Sequence, residues 1–162
     1  MSDIIRGFQP VFDARSKLLI LGSFPSVKSR AVSFYYGNRQ NRFWKTLSDF
    51  FGEKIGDTAE EKQRFVLSHR IALWDIVTEC EIDGSSDASI RNYRIADLKE
   101  VLDHAKVECI FLNGKKALEI FVSVYGDIAV PFRLLPSTSP ANPRFSESAW
   151  FDALSQFFGS DV

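Results

Sequence analysis

Cysteine, histidine and methionine are nearly missing from this chain: it has two Cys, two His and one Met in 162 residues. Cys80 and Cys109 alone build neither a disulfide framework nor a four-cysteine zinc or iron–sulfur site, and they read as packed, inert thiols. His69 and His104 fall on predicted helices far in sequence from either Cys, so no metal-ligand spacing arises and no metal or other cofactor is expected. A Ser-His-Asp nucleophile would have to use one of those two His, and no Gly-x-Ser-x-Gly turn supports it. No apolar run reaches the roughly 20 residues of a membrane-spanning helix. Residues 1–9 mix Asp3 and Arg6 with apolar residues and carry no signal-peptide core. The expectation is a cytoplasmic protein of a reducing compartment, monomeric and without a membrane partner. A net charge of −1 also excludes a chain that is basic throughout.

What is abundant is aromatic: 15 Phe, 4 Tyr and 3 Trp in a chain that is 45% hydrophobic. That length and composition predict one domain over residues 1–162 with a sizeable core. Charge is uneven along it. Residues 14–48 hold seven basic side chains (Arg15, Lys17, Lys28, Arg30, Arg39, Arg42, Lys45) and no acid. Residues 130–146 hold two Arg and again no acid, so the acidic groups lie elsewhere. A local basic, aromatic face can hold phosphates and an unstacked base, although a solvated fluctuation of charge remains the plain alternative.

Periodicity predicts alternating strands and helices. Residues 17–24 (KLLILGSF) form a buried strand ending at Gly22 and Pro25. Residues 41–51 place Phe43, Trp44, Leu47, Phe50 and Phe51 at helical spacing, with Gly52 as the C′ residue. Thr58 and Glu61 make a capping box for the next helix, carried on by Phe65, Val66 and His69. A strand over 71–77, a helix over 95–104 and a strand over 107–112 follow. Then come a helix over 115–125, a strand over 132–135 and a last helix capped by Ser146. This is an α/β pattern: a three-layer α/β/α fold with a mainly parallel four-stranded central sheet. Ligands of such sheets sit beyond the C-terminal strand ends, which singles out the loops 22–40, 75–92, 113–116 and 136–145.

The first loop, Gly22-Ser23-Phe24-Pro25-Ser26, lacks the Gly-Lys-Ser/Thr of a Walker turn and has a single Gly. Asn113-Gly114-Lys115-Lys116 opens a helix that suits a phosphate, or is an ordinary strand-to-helix turn. The most distinctive stretch is Phe34-Tyr35-Tyr36 through Asn41-Arg42-Phe43-Trp44. Phe43 and Trp44 read as core, and Asn41 as a helix cap. Tyr35 and Tyr36, in a loop with Gly37, are less easily buried, and a stacking role stays open for them.

Six pieces, in order along most of the chain, together resemble the uracil-DNA glycosylase superfamily. They are residues 19–26 (LILGSFPS), 35–44 (YYGNRQNRFW) and 73–76 (LWDI). They continue with 84–90 (GSSDASI), 111–114 (FLNG) and 135–142 (LPSTSPAN). The likeness is greatest to the hypoxanthine-DNA (deoxyinosine) glycosylase branch, called family six. The resemblance implies hydrolysis of the N-glycosidic bond of a deaminated base, hypoxanthine first and uracil as an alternative, after base flipping in single- or double-stranded DNA. Two departures keep open a member that binds lesion DNA without excising, and a uracil- or xanthine-preferring enzyme is the other alternative. In the mismatch-specific branch the first loop uses an Asn to position water, where this chain has Phe24. The uracil enzymes place a His where this chain has Leu135.

The resemblance makes Asn41 the catalytic candidate. An amide is not a base, so Asn41 orients the water and steadies developing sugar charge with its carbonyl oxygen, beside any capping role. Base contacts are expected from Gly22, Ser23 and Phe24, and from Tyr36 by stacking. Asp75 and Asn113 are expected at the base edge, with a strand-end or helix-cap bond as the alternative for Asp75. DNA contacts are expected from Ser26, Arg39, Ser85, Ser86 and Lys115, and from the minor-groove segment with Ser137, Thr138, Ser139, Pro140 and Asn142. Arg42, Lys116 and Arg144 are further electrostatic candidates. No Lys is singled out as a Schiff-base nucleophile, which leaves a monofunctional hydrolase.

Overall fold

The computed structural model describes residues 4–25, 34–81 and 91–159. Ser26, Ser85, Ser86 and the whole 84–90 motif lie outside the described residues.

The central sheet has four strands, β2 (Leu18–Gly22), β3 (Ile71–Asp75), β6 (Cys109–Asn113) and β7 (Phe132–Leu135). All pairs are parallel, in the order β3-β2-β6-β7. Every residue of β2 and β3 is buried. Side chains alternate between the faces of a strand, so both faces of the sheet are covered, and the strands read as unbroken apolar runs. The cover comes from α1 (Phe43–Phe51), α2 (Ala59–Ser68), α4 (Lys115–Tyr125) and α5 (Glu147–Phe158). Thr58 caps α2 through the Glu61 N–H, and Ser146 caps α5 through the Ala149 N–H. Gly52 closes α1 in the left-handed conformation at φ 65°.

The chain leaves β2 toward β3, crosses back to β6 and continues to β7. Neighbouring strands β2 and β6 therefore send their following loops in opposite directions, which opens a crevice at their C-terminal ends. Gly22 and Asn113 stand at those two ends.

Three elements differ from the expectation. Residues 71–77 are not one strand: β3 stops at Asp75, and Val77 begins β4 (Val77–Glu81). The Ile76 and Val77 N–H groups bond the Gly22 and Ser23 carbonyls at 2.8 and 3.1 Å, so the chain turns there out of the central sheet. β4 joins an antiparallel sheet between β1 (Ile4–Arg6) and β5 (Arg91–Ile95). Second, the helix expected over 95–104 shrinks to α3 (Lys99–Leu102). Ile95 ends β5, and Asp97 starts a turn by accepting from the Lys99 N–H. The apolar spacing of Ile95, Leu98 and Val101 thus arises from a strand end followed by one helical turn. Third, Tyr35 is buried: its hydroxyl donates to the Gln9 carbonyl at 2.7 Å, and the Trp44 indole N–H donates to the Tyr35 carbonyl at 2.9 Å.

The aromatic load is mostly core. Phe43 and Trp150 are fully buried and meet edge-to-face, joining α1 to α5. Phe111 meets Trp150 edge-to-face from β6. His69 stacks on Phe51 and His104 on Phe12, which gives both histidines packing roles. Cys80 is buried, and burial raises the thiol of half-buried Cys109.

Candidate active site

At the crevice, Gly22 faces Asp75 across the β2–β3 ladder. A Cβ on Gly22 would stand 2.5 Å from the Asp75 Oδ1 and 3.1 Å from the Tyr36 hydroxyl. Only a residue without a side chain admits both groups. Asp75 is buried, as are Ser23, Asn113 and Thr138 beside this end of the sheet.

Tyr36 reaches the cluster from an unusual backbone position, φ 52°, in the left-handed region that bulky residues avoid. Its ring stacks on Phe43 with centroids 4.0 Å apart. One face of the ring expected to stack on a base is therefore occupied by the core. Its hydroxyl oxygen is buried and makes no hydrogen bond among the described residues. Burial first, and then the Asp75 charge, hold that hydroxyl far above the ordinary tyrosine range, while the Asn113 side chain pulls the other way. Burial and the same Asp75 charge do this to Tyr35. Both phenols remain neutral, and their stabilising effect is complete below the unfolded value of about 10. It drains away as pH climbs above that toward the raised folded values. A spectrophotometric titration should accordingly show Tyr35 and Tyr36 resisting ionisation until the chain unfolds in alkali; their ionisation near pH 10 in the folded protein would contradict it.

Asn41 precedes α1. Arg42, not Asn41, is the N-cap residue, but the Asn41 Oδ1 accepts the Phe43 N–H at 2.9 Å, so the side chain satisfies the first N–H of α1 from one residue further out. The residue is half-buried, and the bond fixes the direction of the amide. A carbonyl oxygen has two lone pairs, so capping and holding a water are compatible. With Tyr36, Asn41 also lines an open cleft of about 480 Å³ between residues 36–48 and 54–62.

Asn113 and Arg42 do work the sequence did not display. The Asn113 carboxamide accepts the Thr138 N–H and donates to the Thr138 hydroxyl, both at 3.0 Å. Thr138, expected at a DNA surface, is 1% exposed and held inside by this pair of bonds. The Arg42 N–H donates to the Thr138 carbonyl at 3.0 Å. Its guanidinium donates to the carbonyls of Ser139 and of Asn142, the latter at 2.9 Å, and lies 4.4 Å over the Phe145 ring. Arg42, expected to face DNA electrostatically, thus clasps the 136–142 loop to the segment that carries Asn41. The Asn142 side chain donates to the Ser137 carbonyl, and the Trp150 indole N–H to the Pro136 carbonyl. Pro140 is left exposed at the loop tip, with Ser137 and Ser139 half-buried below it.

Of the remaining expected residues, Phe24 packs in the core and Leu135 is buried with it. Arg39 and Lys115 are exposed. The Gly114 turn into α4 takes φ 104°, and a Cβ there would stand 3.0 Å from the Ser137 Cβ, so glycine lets the β6 and β7 loops meet. Among the described residues no group of three or more His, Cys, Asp or Glu is placed to hold a metal ion. No described helix is long and apolar enough to cross a membrane.

The parallel sheet thus carries a buried carboxylate, Asp75, and a buried amide, Asn113, at its C-terminal edge. The profile of the Uracil DNA glycosylase superfamily matches residues 9–156, and the chain belongs to that superfamily. It is 40% identical over 154 residues to a hypoxanthine DNA glycosylase of Methanosarcina acetivorans, covering 91% of this chain and 96% of that protein. A hypoxanthine DNA glycosylase of Methanosarcina barkeri is 30% identical over 153 residues, with the same coverage. The solution NMR structure of a candidate uracil DNA glycosylase from Methanosarcina acetivorans superposes with a TM-score of 0.81 at 37% identity. The match covers 96% of this chain and 99% of that one.

Proposed function

We propose that this protein is a monofunctional DNA glycosylase that hydrolyses the N-glycosidic bond of deoxyinosine and releases hypoxanthine, with uracil as a second substrate. The observation that carries the reading is the near-full-length identity of 40% to a hypoxanthine DNA glycosylase. The carboxylate and hydroxyl packed over Gly22 at the head of the sheet support it. The base is flipped out of the helix into this crevice, and the protein acts as a single-domain monomer on double- or single-stranded DNA in the cytoplasm.

The chemistry follows from what the groups can do. The glycosidic bond breaks with the electron pair leaving on the purine, and the sugar becomes an oxocarbenium-like cation. A water held on the open face of that cation adds to C1′, and the proton it sheds passes to the departing purine anion, which leaves neutral hypoxanthine and an abasic sugar. The Asn41 oxygen, aimed by the Phe43 N–H, accepts a hydrogen bond from that water and steadies the positive sugar. Asp75, in the crevice, reads the edge of the base: ionised, it accepts from the N1–H that hypoxanthine has and adenine lacks, and protonated, it donates to O6. The departing base gathers negative charge, so donors aimed at it strengthen as the bond breaks and lower the barrier, and the backbone N–H groups of the loop that follows Gly22 are the candidates. The 136–142 loop, clasped by Arg42 and Asn113, stands beside the crevice to occupy the gap left by the flipped base.

The test is incubation of the protein with duplexes carrying one inosine or one uracil, followed by alkali cleavage at abasic sites. Strand cleavage at inosine is expected. No cleavage with either base would remove the excision reading, and retained lesion binding would then select the non-excising alternative. Asn41→Ala should slow single-turnover excision about 100-fold, the usual loss for one preorganised polar group, with less than a threefold change in DNA affinity. An equally active variant would place the water elsewhere.

A further inference from the structure

We propose that the open cleft between residues 36–48 and 54–62 is a track for the phosphodiester backbone of the DNA strand flanking the lesion. The inference rests on the glycosylase reading for its partner, and on geometry for its place. The cleft has about 480 Å³ of space, within the range of about 300–1,000 Å³ typical of small-ligand sites. Arg39, Lys45, Lys54 and Lys62 line it, and Asp57 is the one acidic residue among the described lining residues. Lys45 already holds Asp49 at 2.7 Å, so Arg39, Lys54 and Lys62 supply the surplus positive charge.

Lys62 is the informative member. Its ammonium lies 5.5 Å from the centre of the Trp44 ring. Burial there lowers its pKa, and Asp57 opposes the shift. A partly dehydrated cation gains more from an incoming phosphate than a fully hydrated one, because its attraction is less screened. Trp44 also keeps the site from being a base-stacking platform, since Lys62 stands over its ring. Backbone phosphates, not bases, are what this lining recognises. The Asn41 amide belongs to the same wall, so a strand seated in the cleft runs past the group assigned to the water. None of the pieces that carried the family resemblance includes Lys45, Lys54 or Lys62.

The experiment compares the full-length wild type with Lys54→Gln/Lys62→Gln and with Lys99→Gln/Lys106→Gln. The second pair has the same net charge and lies on exposed residues away from the cleft. Binding to a fluorescent inosine duplex is measured by anisotropy from 50 to 200 mM salt. Each phosphate contact adds about 0.9 to the slope of log affinity against log salt. The cleft pair should therefore lower the slope by about 2 and low-salt affinity by about tenfold, while the control pair leaves both unchanged. Equal slopes for the two pairs would overturn the track. Excision by the wild type is recorded on the same duplex. A slope loss with an inactive wild type would keep the track and remove the glycosylase reading, so the two failures are distinguishable.

Discussion

Gly22→Ala is expected to lower excision by about 100-fold or more while leaving the protein folded. The new methyl group would stand 2.5 Å from the Asp75 Oδ1 and 3.1 Å from the Tyr36 hydroxyl, and the first distance is impossible without movement. Asp75 sits at the end of β3, paired with Gly22 itself and buried, so its carboxylate has little room to retreat. Overpacking of this kind costs about 1–3 kcal/mol of stability, which a chain of this size survives. The larger loss falls on the reaction, because displacing a reading group by about 1 Å costs about 100-fold in rate. Tyr36→Phe in the same chain relieves the longer contact and not the shorter one, so the double variant should keep most of the defect. Thermal unfolding and single-turnover excision together check this. A Gly22→Ala protein within threefold of wild type would show that the Asp75 carboxylate does not meet the base.

Arg42→Ala should destabilise the protein by about 2 kcal/mol and free the 136–142 loop. The side chain bonds the Ser139 and Asn142 carbonyls, and partly buried acceptors left without a donor cost about 1–3 kcal/mol each. The Arg42 backbone N–H still reaches Thr138, and Asn113 still holds that residue, so the loop loosens and does not unfold. Proteolysis or hydrogen exchange confined to 137–145 would report it, together with a fall in duplex excision of about tenfold. Arg42→Lys separates this role from attraction to DNA. A lysine keeps the charge and cannot span two carbonyls and the Phe145 ring as a planar guanidinium does. Lysine should rescue little; full rescue would return Arg42 to the DNA surface.

Much of the architecture was legible in local pattern. The apolar runs of β2, β3 and β6 announced buried parallel strands, because both faces of such a sheet are covered. Thr58, Ser146 and Gly52 marked helix ends through bonds made within three or four residues. The second sheet was not legible: β1 and β5 are short, and β5 is largely exposed, so neither carries a hydrophobic period. The β1–β4 pairing joins residues about 75 positions apart, which no local window displays.

The candidate site divides the same way. The sequence determined which residue types stand where, in what order and beside which turns. Asn41, Gly22, Tyr36, Asp75 and Asn113 were all named from it. Only the tertiary structure decided what each one touches. It brought Gly22, Asp75 and Tyr36 into one contact, turned Arg42 and Asn113 inward onto a loop about 100 and 25 residues away, and set Lys62 over Trp44. The reason is physical. A strand or a cap is fixed by bonds between near neighbours, whereas the partner of an arginine or a carboxamide is chosen by whichever distant backbone the packed core delivers to it.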